Sequence, residues 1–344
     1  MCTLVVVRTL RYRRKHRSVK ALRHKKEVLL NSDKNEAKNA QFEYEEECRR
    51  VVFEISSYEC PLVYRIGLEF ALFRTYAIPS NSKLLLETKE FTRNAGQRYD
   101  DTDLLIREFT ENPFDSDRCN VAIQRMNYIH AQYGGKISNE DMVYVLSVFV
   151  LEPIRWLKRW DWRPLSAEEC EALYNGWLHI GRRMGIQNIP ESLEEFTKWN
   201  QDYEQRKMVY APSNMPITDA TIELFLGIAP RFLHSFGRKV AYCFMDERLR
   251  RALKYPDPNP SLKSLVTCLL YIRRFLIRYL SLPRPEWLSA RRSPVEGDSS
   301  MVLCPRFHTY KNTYRDGYKI TCLGAAPAGK IWDGSVRGRS PAYT

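Results

Sequence analysis

Apolar positions recur every three or four residues along most of this chain, and almost no stretch alternates at every second residue, so the predicted elements are helices. The pattern is helical from about Ala37 to Phe73, with Glu43, Glu45, Glu46 and Glu47 near its start, where acids suit the helix dipole. Pro61 divides it in two by removing a backbone donor. Arg74 to Asn81 reads as a turn, Ser82 to Phe91 as helix, and Arg98 opens a helix that passes Phe109 and closes at Asn112-Pro113. In the next stretch, Arg118 to Tyr133, the residues Ala122, Met126, Ile129, His130 and Tyr133 share one face, and Gly134-Gly135 stops the helix. Ser138 caps Met142–Trp160, which is expected to be interrupted at Pro153; Ser166 with Glu169 caps a helix ending near Gly185; Ser192 caps one reaching Met208. Ala211–Thr218 reads as a loop, and Thr221–Ala229, Arg231–Tyr255 and Leu262–Leu282 as the last three helices.

Beyond Pro285 the periodicity fades into Gly, Ser and Pro as far as Thr344. The predicted fold class is therefore all-α: residues 1–36 as a basic arm, 37–285 as one helical domain, and 286–344 as an irregular tail. A chain of 344 residues can bury a substantial core.

Charge changes this picture at one end. The net charge is +13, yet residues 1–30 carry ten Lys/Arg against the single acid Glu27, so the remainder is nearly balanced. Such a run reads as disorder or a solvated helix face, with an anionic membrane surface as the functional alternative. No aromatic interleaving or recognition motif points to nucleic acid. Nine cysteines without a C-x-x-C pair argue for a reducing location and against both a disulfide framework and a structural zinc site. No run of about 18 uncharged apolar residues could span a bilayer. Cys2–Val7, followed by a basic flank, has the look of the remnant of a membrane anchor. Leu262–Leu282 is apolar but holds Arg273, Arg274 and Arg278, which predicts a core helix with a basic outer stripe, with a membrane-surface role as the alternative.

The candidate chemistry starts at His130. One imidazole on an otherwise apolar face is either a core histidine satisfied by backbone carbonyls or an axial ligand to a haem iron or another metal; spacing alone favours the first. His179 and His234 stand isolated, with no second ligand at i+3 or i+4, and Glu204 and Asp246 read as partners in structural ion pairs. No phosphate loop, G-x-S-x-G or H-E-x-x-H motif occurs.

Several blocks in series resemble the fungal ER-bound oxygenase mpaB family, whose catalytic domain is shared with the latex-clearing rubber oxygenases. They are Phe70–Pro79, Arg98-Tyr-Asp-Asp-Thr102, Arg125–Tyr133, Trp160–Leu165, Trp199–Glu204, Met245–Arg250 and Leu282–Pro285, with Tyr314–Ile320 similar to the family's terminal block. The resemblance implies a globin-like helical domain that binds haem b, with its iron, and uses dioxygen on double bonds of a lipophilic, prenyl- or terpenoid-type substrate. It makes His130-Ala131 the proximal-ligand position, the other imidazole nitrogen donating to a carbonyl. The family's distal R-x-x-K-T signature matches at Arg98 and Thr102, but Asp101 stands where the lysine would be. A carboxylate does not replace a neutral amine at the iron, so an open or water-occupied sixth site is implied. Arg98 would pair with a haem propionate, or with Asp101 instead; Thr102 would hydrogen-bond dioxygen or cap a helix; Arg125 would reach a propionate, although its direction on the helix favours a solvated face. The expected location is the endoplasmic reticulum membrane, cytosolic face, or the cytoplasm if the missing span is genuine. Two rival readings are a non-catalytic helical binding protein for a hydrophobic ligand and a membrane-surface interaction protein acting through residues 1–30.

Overall fold

The helical pattern is realised almost element for element, and the described part contains no strand, only one isolated bridge between Leu303 and Tyr318. The computed structural model describes residues 2–310 and 313–324. The end of the predicted tail, 325–344, lies outside the described residues, as do the side chains of residues 2–6 in the predicted anchor remnant. The helices are α1 (Cys2–Asn31), α2 (Ala37–Glu54), α3 (Pro61–Tyr76), α4 (Pro79–Thr88), α5 (Glu90–Arg93), α6 (Ala95–Glu111) and α7 (Asp117–Ala131). They continue as α8 (Asn139–Trp160), α9 (Ala167–Arg183), α10 (Leu193–Lys207), α11 (Asn214–Leu226), α12 (His234–Phe244), α13 (Glu247–Leu253) and α14 (Pro260–Leu280).

At the centre lies α8, buried nearly all round: Tyr144, Val148 and Trp156 face one apolar cluster, and Leu146, Phe149 and Val150 face another. Pro153 does not break this helix, contrary to the pattern's prediction. Its lost backbone bond is tolerated because α3 packs tightly there: a Cβ on Gly67 would come within 3.0 Å of the Pro153 Cα. The sequence caps hold where they were expected, with Ser138, Ser166 and Ser192 each accepting from the backbone three residues on. Three boundaries moved. The predicted loop 211–218 is helical from Asn214, since Pro216 sits in a first turn that needs no amide donor. The stretch 231–255 is split at Met245-Asp246, where Asp246 caps α13. Helix also begins at Pro79, inside the predicted turn.

Residues 2–31 are not disordered: they are helical, with one face packed on the fold and another, carrying Arg13, Lys20 and Arg23, solvated. They form a helix antiparallel to α2 whose cations meet the acids of α2, α9 and the turn after α2: Arg14 with Glu59, Arg17 with Glu54, Lys25 with Glu43, Lys26 with Glu171 and Arg23 with Glu168. Arg11 is buried and donates to the carbonyls of Ser281 and Leu282 at 3.2 and 3.0 Å. Half of the basic run is thus paired with acids of the fold.

The tail is irregular, as predicted, but it is not loose. Arg292 is fully buried and pairs with Asp100 at 2.7 Å and Asp103 at 2.5 Å on α6. Tyr318 donates to Glu108 at 2.5 Å, and Ile320 and Leu323 enter the core. Residues 290–324 therefore strap α6 and α7 from outside.

Candidate active-site cavity

α6 and α7 present opposing polar groups to one internal cavity of about 230 Å³. Its walls are apolar, drawn from Leu105, Phe109, Met126, Ile129, Phe149 and Trp177 among others, with α4, α8, α9 and α11 closing the remaining sides. Ser116 and Asp117 fix the start of α7, the Ser116 hydroxyl accepting from the Cys119 amide at 3.3 Å. From that start the helical period brings Met126, Ile129, His130 and Tyr133 to the cavity, the face read from the sequence, with Ala122 buried one turn earlier.

His130 keeps some accessible surface because the cavity touches it, yet protein surrounds it on every side. Burial, helped by the nearby Arg98 charge, lowers its pKa from 6.5 to about 4, so the imidazole is neutral at ordinary pH. Its Nδ1 is buried and has no hydrogen-bond partner. The carbonyl acceptor expected for one ring nitrogen is therefore not found at Nδ1, and a core histidine satisfied there is not found either. A buried polar atom left unpaired costs about 1–3 kcal/mol, and His130 shares this with other buried atoms such as His179 Nε2; what sets it apart from that histidine is its place on an apolar cavity wall.

Arg98 and Thr102 also line the cavity, one turn apart on α6. The Arg98 guanidinium donates to the Thr102 hydroxyl and lies 5.5 Å from the Phe91 ring centre. Among the described residues it forms no ion pair, so the alternative pairing with Asp101 does not occur. Thr102 is not a cap: it lies inside α6 and donates to the Arg98 carbonyl at 3.1 Å. One carboxylate, Glu90, also reaches the lining, and no lysine does so among the described residues.

Asp101 and Arg125 are not brought to the cavity. Asp101 turns outward, accepting from the Tyr314 hydroxyl and the Gly324 amide. Burial raises its pKa, and those bonds with Arg98 offset only part of that. Arg125 is buried rather than solvated, and donates to the carbonyls of Leu323 at 2.7 Å and Gly324 at 3.2 Å. Both residues hold the tail strap. Gly324 itself lines the cavity; it has φ +80°, and a Cβ there would meet Ile129 Cδ1 at 2.4 Å, so only glycine lets the strap lie this close to the histidine helix. Sequence reading missed this strap contribution. The available signal was the set Asp100, Asp101, Asp103, Glu108 and Glu111, too many acids for a buried helix without cations arriving from elsewhere.

The other singled-out residues are structural. Arg74 is buried and meets Glu152 at 2.8 Å, Glu204 at 2.9 Å and Asp246, joining three of the similar blocks in one ion cluster. His179 contacts Glu45 at 2.5 Å and stacks on Phe114; His234 contacts Glu223 at 3.2 Å. Among the described residues no cluster of His, Cys, Asp and Glu could hold a metal ion by itself.

An all-helical shell thus encloses an apolar cavity lined by one neutral histidine. The family follows from comparison. Residues 87–276 match the family model described as ER-bound oxygenase mpaB/B'/rubber oxygenase, catalytic domain, and the chain belongs to this family. It is 35% identical over 261 residues to ER-bound oxygenase mpaB' of Penicillium brevicompactum, covering 71% of this chain and 62% of that protein. It is 31% identical to ER-bound oxygenase mpaB of the same organism, covering 71% and 60%, and 33% identical to mpaB of Penicillium roqueforti, covering 62% and 77%. The chain thus spans less than two thirds of the first two relatives. Among the described residues no helix is long and apolar enough to cross a membrane.

Proposed function

We propose that this protein is a haem-dependent oxygenase that cleaves or oxidises a double bond in a lipophilic, prenyl- or terpenoid-type molecule of secondary metabolism, at the cytosolic face of the endoplasmic reticulum membrane. The observation that carries the reading is the neutral, cavity-lining His130 with its orphaned Nδ1. Neutral imidazole is the form that binds iron, and an unpaired nitrogen leaves the ring free of any competing structural duty. The donor set fits a haem: one imidazole, apolar walls, and in Arg98 a guanidinium without a carboxylate partner, matched to a propionate. When bound, haem supplies the dioxygen chemistry.

This chain's own groups do the rest. His130 holds the group and, being uncharged, adds no charge to the chamber. Arg98 anchors the acidic edge, and Thr102, tied to Arg98, offers a hydroxyl beside the guest. Phe109, Phe149 and Trp177 exclude water and seat an apolar chain by burial, at about 25 cal/mol per Å² of apolar surface. Asp101 faces the strap and among the described residues no lysine lines the chamber, so no side-chain amine would compete with dioxygen or water for the bound group.

The test is the visible spectrum of the full chain purified from haem-supplemented cells. A haem band that disappears in His130→Ala, with helicity retained, is the expected result. Absence of the band in the parent, or its survival unchanged in the variant, overturns the reading.

A further inference from the structure

We infer that the outer face of α14, extended by the turn before α12 and by Leu282–Leu288, docks flat on an anionic lipid bilayer. Sequence periodicity predicted a buried apolar stripe and outward arginines on this helix; Leu270 and Ile277 do pack against the core, but a second apolar stripe faces solvent and the arginines are half-buried. No residue of α14 is buried. Leu265, Leu269, Ile272 and Leu276 fall within about 60° on the helix wheel and all point to solvent, with Leu269 55% and Phe275 56% exposed. Arg273, Arg274 and Arg278 are the half-buried ones, Arg273 lying 3.7 Å from the buried Asp161. Phe232, 81% exposed, and Trp287, 76% exposed, continue the apolar surface beyond the helix.

The charge around this face selects the occupant. Between residues 258 and 288 there are five Lys/Arg and one acid, Glu286. Lys263 and Arg284 are exposed near the two ends of the helix, and Arg8 and Arg13 flank the Arg11 that grips Ser281 and Leu282. None of these four exposed cations forms an ion pair among the described residues. A second copy of the chain would bring like charges together, whereas a bilayer with anionic headgroups meets apolar centre and cationic rim at once. Tyr271, Tyr279 and Trp287 are of the type that settles at headgroup depth. Beneath α12 and α14 lies a second apolar cavity of about 200 Å³, separated from the His130 cavity by α3 and α11. A chain leaving the bilayer would meet apolar walls on that side; this last point rests on the oxygenase reading, and the docking does not.

Vesicle flotation of the full chain tests it, with phosphatidylcholine alone and with added phosphatidylserine, beside the variant Leu269→Glu/Ile272→Glu/Leu276→Glu. The parent is expected to float, more completely with phosphatidylserine and less at high salt. The variant should lose binding by an order of magnitude or more while keeping parental helicity and monomer mass. A parent that stays at the bottom, or a variant that floats equally well, overturns the inference. So does a parent dimer that the same substitutions split, since a second copy would then be the occupant. The haem spectrum is read separately, so failure of docking leaves the oxygenase reading standing, and the converse.

Discussion

Two buried polar centres of this protein, the Arg74 cluster and the His130 cavity, are built from the same kind of sequence block and have opposite energetics. Around Arg74 every charge has a partner: Glu152, Glu204 and Asp246 surround one guanidinium, so their attraction outweighs the cost of burying it and keeps it charged. Around His130 the walls are apolar, the ring is discharged and one nitrogen is left without a hydrogen bond. The satisfied centre holds helices together, whereas the other lines a cavity and adds little to hold its helices. What separates the two is therefore whether the hydrogen bonds close, and burial or polarity alone does not decide it.

The sharpest way to break this contrast is His130→Ala. It should abolish haem retention, read from the visible spectrum, yet change the folding stability of the haem-free protein by only about 1 kcal/mol or less, read from a urea titration. Arg74→Met should do the reverse. Leaving buried carboxylates uncompensated costs about 3–5 kcal/mol, enough to unfold a marginal domain, seen as a large fall in the urea midpoint.

The pH response separates the centres next. His130 has a pKa of about 4 in the folded protein against about 6.5 unfolded, so the unfolded chain takes up its proton first. Its contribution is complete above about pH 6.5 and is lost as the pH falls toward about 4, by at most about 3 kcal/mol. His130→Ala should flatten that part of the stability profile of the haem-free protein; an unchanged slope would mean the ring is not held neutral.

Smaller effects belong to the strap. Arg125→Ala leaves the Leu323 and Gly324 carbonyls without their donor and should cost about 1–3 kcal/mol, with faster hydrogen exchange in residues 313–324. Smallest of all, Tyr314→Phe should cost about 1 kcal/mol and be less than additive with Asp101→Ala, because both remove one shared hydrogen bond.

Helices, caps and the cavity face of α7 were legible from sequence because they depend on neighbours a few residues away: Ser138, Ser166 and Ser192 each cap their own helix, and Met126, Ile129, His130 and Tyr133 align through the helical period. The helical Pro153 was not legible, since Gly67, far away in the chain, makes the close packing there. Nor was the role of Arg125, whose direction on the wheel was read correctly but whose partners come from some two hundred residues downstream. The resemblance blocks at Arg74, Glu204 and Asp246 could be seen in series, while their meeting in one cluster could not.

By itself the sequence determined an all-α chain, a histidine on an apolar face and the family to which it belongs, because period and residue type are local properties. Only the tertiary structure decided which charges are spent. It paired five of the ten cations of the first helix with acids of α2, α9 and the turn after α2, left an apolar stripe of α14 facing solvent, and left His130 with an unpaired nitrogen in a residue that lines a cavity. Those outcomes depend on which distant groups arrive to complete each charge and hydrogen bond, and no local pattern carries that information.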